Sequence, residues 1–236
     1  MKKTLWIAII GALAVSVIAA SAQDVLSGNA VGYVKVDISN TFTVINMPFD
    51  DMGGGATMFT NTIGPQVAGV GAVLYVWTGA SWDPKRYDRG NWNNAASVAL
   101  EPGVAYFLKR PTSWTGTSNI TLTGEVPEAT NTQRSVTGLG NFTMVSFAYP
   151  AEVKFTNTLL AAQGGGVGAV IYNWTGTSWD PRRYDRGNWN NAANLSLKPG
   201  VGYFFKAATA GEGFVWSQRR PYTWPGTPLP ASNGPF

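Results

Sequence analysis

The feature that most constrains this chain is a segment that occurs twice. Residues 70–109 (VGAVLYVWTGASWDPKRYDRGNWNNAASVALEPGVAYFLK) recur without a gap as residues 167–206 (VGAVIYNWTGTSWDPRRYDRGNWNNAANLSLKPGVGYFFK), with about three quarters of the positions identical. Self-similarity at this period means one structural unit used twice. Weaker likeness extends upstream, where Phe42-Thr43-Val44-Ile45 matches Phe142-Thr143-Met144-Val145 and Phe59-Thr60-Asn61-Thr62 matches Phe155-Thr156-Asn157-Thr158. Each unit is therefore about 100 residues long, and the boundary is expected in the polar stretch from Val126 to Gly138.

Within a unit the pattern is of short strands joined by turns. Gly32 to Ile38 and Phe42 to Phe49 are rich in β-branched and aromatic residues and are bounded by turn formers. Leu74 to Trp77 and Trp82 to Tyr87 flank Thr78-Gly79-Ala80-Ser81, a hairpin spacing whose glycine supplies a positive φ. Glu101-Pro102-Gly103-Val104 and Lys198-Pro199-Gly200-Val201 have the sequence of type II turns, Pro fixing the second position and Gly the left-handed third. Strands are expected after them, at Ala105 to Lys109 and Gly202 to Lys206, and later at Ile120 to Val126 and Phe214 to Gln218. Met58 to Ile63 and Phe155 to Gln163 are the places for one short helix per unit. The predicted fold class is all-β: two tandem β-sandwich or small-barrel modules, residues 23–127 and 128–224, related by an internal duplication.

The ends of the chain bear on its compartment. Lys2 and Lys3, the apolar run Leu5 to Ala20 and the small residues Ala20-Ser21-Ala22 predict a signal peptide over residues 1–22, so that the mature chain begins at Gln23. No later run has the length of a membrane helix, and the prolines at 225, 228, 230 and 235 make residues 225–236 a Pro-rich tail that cannot form a barrel's closing strand. The expectation is an exported protein, periplasmic or at the cell surface, with no integral membrane segment after cleavage. Loss of the leader lowers the formal charge from +4 to about +2, and the basic residues are scattered, so nucleic acid is not an expected partner.

The order of Asn46-Met47-Pro48-Phe49, the Tyr-x-Trp-x-Gly-x-x-Trp hairpin, the Leu-x-Pro-Gly-x-x-Tyr-Phe strand and the Thr123-to-Pro127 linker (TGEVP) resembles a family of uncharacterised secreted β-repeat proteins of environmental bacteria. The resemblance spans most of the mature chain. It implies export and a duplicated β module; the family offers no activity to carry over.

The chain has no histidine and no cysteine, which removes imidazole bases, His-based triads, thiol nucleophiles and thiolate metal sites. What remains concentrated is aromatic and hydrogen-bonding: Trp82, Asp83, Tyr87, Asp88, Trp92 and Asn93, with their copies Trp179, Asp180, Tyr184, Asp185, Trp189 and Asn190. Flat rings stack on the apolar faces of sugars while Asp and Asn bond to the hydroxyls around them, so these are the candidate ligand-binding residues, with polysaccharide as the expected ligand. The competing expectation makes the same aromatics core anchors in a structural protein that assembles with other envelope proteins. Exposed coplanar rings at Trp82, Trp92, Trp179 and Trp189 would favour the first, buried ones the second.

A non-catalytic role is expected, the alternative being a glycoside hydrolase using Asp83 with Asp88, or Asp180 with Asp185, as its carboxylate pair. Asp50-Asp51 before Gly53-Gly54-Gly55 offers oxygen ligands suited to calcium. Neither Gly53–Gly55 nor Gly164–Gly166 is followed by the Lys-Ser/Thr of a phosphate loop, and no cofactor is expected.

Overall fold

The computed structural model describes residues 30–38 and 41–224. The predicted signal peptide, residues 1–22, and the Pro-rich tail, residues 225–236, lie outside them.

The first half contains Val31–Ile38 (β1), Phe42–Asn46 (β2), Val73–Trp77 (β3), Trp82–Asp88 (β4), Asn91–Asn93 (β5), Ala105–Lys109 (β6) and Ser118–Glu125 (β7). The second contains Asn131–Val136 (β8), Phe142–Val145 (β9), Val153–Lys154 (β10), Leu159–Gly164 (α1), Val170–Trp174 (β11), Trp179–Asp185 (β12), Asn188–Trp189 (β13), Ser196–Leu197 (β14), Tyr203–Lys206 (β15) and Phe214–Arg219 (β16). The chain is all-β, and its paired strands run antiparallel. One five-stranded sheet has the order β2-β6-β3-β4-β5 and the other β9-β15-β11-β12-β13. Two-stranded ribbons, β1-β7 and β8-β16, accompany them.

In each half the ribbon covers the inner face of the sheet. Val36, Ile38, Ile120 and Leu122 of the first ribbon join Ile45, Leu74, Tyr106 and Leu108 of the sheet in one buried cluster, which Phe59, Ile63 and Val67 complete. Val136 and Trp216 do the same with Val145, Ile171, Tyr203 and Phe205 in the second. These are alternate residues along their strands, as a pleated strand with one buried face requires.

Turn chemistry sets the registers. Thr78 Oγ1 donates to Ser81 O (2.9 Å) and accepts from Ser81 N (3.1 Å), closing the hairpin that opposes Trp77 to Trp82. Arg89 (φ 49°) and Gly90 (φ 87°) then turn β4 into β5 through two left-handed residues, the arrangement that suits the twist of a tight hairpin. The two Pro-Gly turns close with Val104 N to Glu101 O and Val201 N to Lys198 O, both 3.2 Å.

A tyrosine clamps each Pro-Gly turn. The Tyr106 hydroxyl accepts from Glu101 N (2.9 Å) and donates to Ala99 O (3.0 Å); Tyr203 accepts from Lys198 N (3.0 Å) and donates to Ser196 O (2.7 Å). Burial pushes both hydroxyls up to about 12, since ionisation would strand a charge away from water. A folded-state value above the unfolded one means that the folded chain holds these protons when the unfolded chain has released them. The associated stability is therefore complete below about pH 10 and is lost as pH rises towards 12. Alkaline titration followed by circular dichroism should show stability falling across that window, and Tyr106→Phe/Tyr203→Phe should flatten the fall; an identical slope in the variant would refute the assignment.

Two sequence expectations need correction. The first half has only a 3₁₀ turn, Phe59–Asn61, where a helix was expected. Its next residues include Gly64 and Pro65, poor helix formers, whereas the second half continues with Leu159-Leu160-Ala161-Ala162 into α1, capped by Thr158 Oγ1 accepting from Ala161 N (3.2 Å). The polar stretch expected to hold the boundary also contains strand β8, whose exposed Asn131, Gln133 and Ser135 alternate with partly or fully buried residues and whose backbone pairs with β16.

The halves meet through reciprocal contacts. Trp77 Nε1 donates to Phe142 O (3.0 Å) and Trp174 Nε1 to Phe42 O (2.9 Å). Gly202 N donates to Val44 O (3.2 Å), Asn46 N to Gly200 O (3.3 Å) and Ser146 N to Gly103 O (3.0 Å). Each Pro-Gly turn also sits on the other half's ribbon: a methyl added at Gly103 would reach Gln218 Nε2 at 2.7 Å, and one at Gly200 would reach Val36 Cγ2 at 2.5 Å.

Candidate functional site

Strand alternation divides the twelve candidate residues into two sets. In β4, Trp82 pairs with Trp77, Pro84 with Tyr75 and Arg86 with Val73, so Trp82, Pro84, Arg86 and Asp88 share the outer face of the sheet. Asn93 opposes Arg86 and joins that face, while Asp83, Tyr87 and Trp92 point the other way. The second half repeats the division: Trp179 and Asp185 lie outward, Asp180, Tyr184 and Trp189 inward, and the exposed Asn190 donates its backbone N–H to Arg183 O (2.8 Å).

The inward tryptophans serve the core. Trp92 stands edge-on to Phe59 at 4.8 Å and donates Nε1 to Gly64 O (3.0 Å); Trp189 stands edge-on to Phe155 at 4.9 Å and donates to Ala161 O (2.9 Å). Both are half-buried, so the expectation of exposed binding rings fails for this pair. Tyr184 and Trp189 do border a separate cleft of about 390 Å³ with Thr156, Ala161 and Asn188.

The outward set forms one cluster shared by both halves. Trp82 lies 5.8 Å from Phe107 and 6.1 Å from Phe204; Trp179 lies 5.9 Å from Phe107 and 5.8 Å from Phe204. Phe42 stacks on Phe107 at 5.3 Å and Phe142 on Phe204 at 4.8 Å, and Tyr75 and Tyr172 stand near-perpendicular to Trp82 and Trp179, both at 6.3 Å. Several neighbouring rings are inclined by only 17° to 32°, giving a gallery of roughly parallel faces. A depression of about 250 Å³ opens between Phe42, Tyr75, Trp82, Phe107 and Trp179, and its lining is mainly apolar.

Within each repeated segment the three tryptophans thus have different uses. Trp77 and Trp174 tie the halves together and Trp92 and Trp189 hold the core, all four with their indole N–H donated to a carbonyl. Trp82 and Trp179 make no such bond among the described residues, and Trp82 is 37% exposed.

Sequence reasoning missed Phe42, Tyr75, Phe107, Phe142, Tyr172 and Phe204. The available signal was in β3, Val73-Leu74-Tyr75-Val76-Trp77, which is apolar at both parities and so must present apolar side chains on both faces of its sheet.

The acidic candidates do not converge. Asp83 and Asp88 are an odd number of residues apart on one strand and face opposite sides of it, which separates the pair a glycosidase would need. Asp83 pairs with Lys85 at 2.8 Å and Asp180 with Arg182. The Asp51 carboxylate, considered for calcium, accepts from Gly53 N (2.9 Å) and Gly55 N (3.4 Å) within its own turn. Burial, followed by the neighbouring Glu125, raises the Asp50 carboxyl above the usual carboxylate range. Among the described residues no group of three or more acidic side chains is placed to hold a metal ion, and no helix is long and apolar enough to cross a membrane.

Comparison with family models, with curated proteins and with solved structures gave no match.

Proposed function

We propose that this is an exported, non-catalytic glycan-binding protein whose single binding face is the aromatic cluster built jointly by its two halves. The observation that carries this reading is the state of Trp82 and Trp179: an exposed and a half-buried ring at the centre of a stacked gallery, each with an indole N–H that no group among the described residues accepts. A stacked indole offers a flat apolar face to a sugar ring and one donor to a hydroxyl at its edge. Because both tryptophans contact the same Phe107 and Phe204, the repeated motif gives one composite site, and a stoichiometry of one glycan segment per chain is expected.

Tryptophan fluorescence titrated with a panel of soluble polysaccharides tests this. A saturable spectral change is expected with at least one polymer. Trp82→Ala or Trp179→Ala alone should weaken it about tenfold, as for a ring at the centre of a contact, while Trp92→Phe should leave affinity unchanged. Equal binding by wild type and a folded Trp82→Ala/Trp179→Ala variant would exclude this face.

A further inference from the structure

We infer that the glycan held by this face is acidic, carrying carboxylate or sulfate groups along its chain; the inference rests on the glycan-binding reading above. In an antiparallel sheet, residues directly opposite one another form rows across a face. The row at the margin of the first sheet reads Phe42, Lys109, Val73, Arg86 and Asn93. The corresponding row of the second reads Phe142, Lys206, Val170 and Arg183. The next row inward carries Phe107 and Tyr75 in one half, Phe204 and Tyr172 in the other. The aromatic gallery is therefore bordered on both sides by a pair of cations, and Lys206 Nζ lies 5.9 Å from the centre of the Phe142 ring.

Among the described residues these four cations have no counter-ion. The ion pairs of the repeated segments are local ones, Lys85 with Asp83, Arg89 with Asp88, Arg182 with Asp180 and Arg186 with Asp185, and none engages Arg86, Lys109, Arg183 or Lys206. The carboxylates on the same face, Asp88 and Asp185, lie beyond the arginines and approach the turn residues Arg89 and Arg186 at 3.8 and 3.9 Å. A face with apolar rings at its centre and unpaired positive charge on both margins complements a chain that has sugar rings to stack and negative groups at its edges. An anionic bilayer is the other surface of that chemistry. The rings here border a depression and pack on each other, an arrangement that admits a slender chain and does not project side chains into a membrane.

The test compares polymers that differ only in charge: polygalacturonate against its methyl ester, and dextran sulfate against dextran, with anionic lipid vesicles as a further arm. The purified protein and an Arg86→Gln/Arg183→Gln variant are each titrated at low and high salt. Both arginines are exposed and make no side-chain bond among the described residues, so the variant should fold normally. The inference expects at least one acidic polymer to bind more tightly than its neutral partner, salt to weaken that binding, and the double variant to bind it about tenfold less tightly. Equal affinity for charged and neutral partners, or no effect of the double substitution, overturns the acidic ligand and leaves the glycan reading standing. Binding to vesicles with none to any polysaccharide overturns both.

Discussion

Replacing Gly202 by valine is expected to cost about 3 kcal/mol and to open the seam between the halves. Gly202 packs directly against the other sheet: an added Cβ would collide with the Cβ of Ala105 and would stand 2.7 Å from Val44 Cγ1 and 3.2 Å from the Ile45 carbonyl. Its N–H also bonds to Val44 O, so the backbone cannot retreat without losing that contact and straining the neighbouring bridge between Ile45 and Val201. Ala105 is the repeat equivalent of Gly202, and the pair needs one methyl-free partner. Gly202→Ala should therefore be partly rescued by Ala105→Gly, a coupling that a double-mutant cycle in urea would measure. Full stability in Gly202→Val, with the same tryptophan emission as the wild type, would show that the seam is not as close as described.

The second large effect is expected from Trp216→Ala. Trp216 is fully buried in β16, in the core that Phe147, Phe155, Tyr203 and Phe205 also form, and α1 packs beside its strand. Removing a buried indole leaves a cavity that surrounding side chains fill only in part, at a cost of about 3–5 kcal/mol. That is a large share of the roughly 5–15 kcal/mol that stabilises a typical domain. Val215, its neighbour, is 49% exposed on the opposite side of the strand, and Val215→Ala should change stability by no more than about 0.5 kcal/mol. Unfolding should be followed by circular dichroism, because the substitution removes a fluorophore. Similar small losses in both variants would mean that the β8-β16 ribbon is not integral to the core.

The contrast between these neighbours also explains how far the sequence could be read. Strands with one buried face, such as β7 with Ile120 and Leu122 inward, announce themselves by alternation, and turns fixed by Pro-Gly or by a Thr-x-x-Ser pair announce themselves by residue type. β8 did neither: Asn-Thr-Gln-Arg-Ser-Val is nearly all polar, and it is a strand because β16 pairs with it, a tertiary cause that local pattern does not carry. The candidate site was legible by residue type but not by face. Trp82 and Trp92 are alike as residues, and only the register of β4 against β3 and β5 sends one outward and the other onto Phe59. The phenylalanines that complete the gallery, Phe107 and Phe204, meet Trp179 and Trp82 of the opposite half, contacts that depend on how the halves dock.

That docking has a consequence for how such a chain can arise and be taken apart. Each half lends its Pro-Gly turn to the other's ribbon and its tryptophan to the other's backbone, so a half expressed alone would present those surfaces unpaired. Two separate copies making the same contacts would be a symmetric dimer whose assembly depends on protein concentration. Joining them end to end replaces that dependence with an effective local concentration on the order of millimolar, sustained at any dilution of the chain. A single chain also allows matching positions to differ: Ala105 against Gly202, and Asn46 against Ser146, are differences that no homodimer could hold.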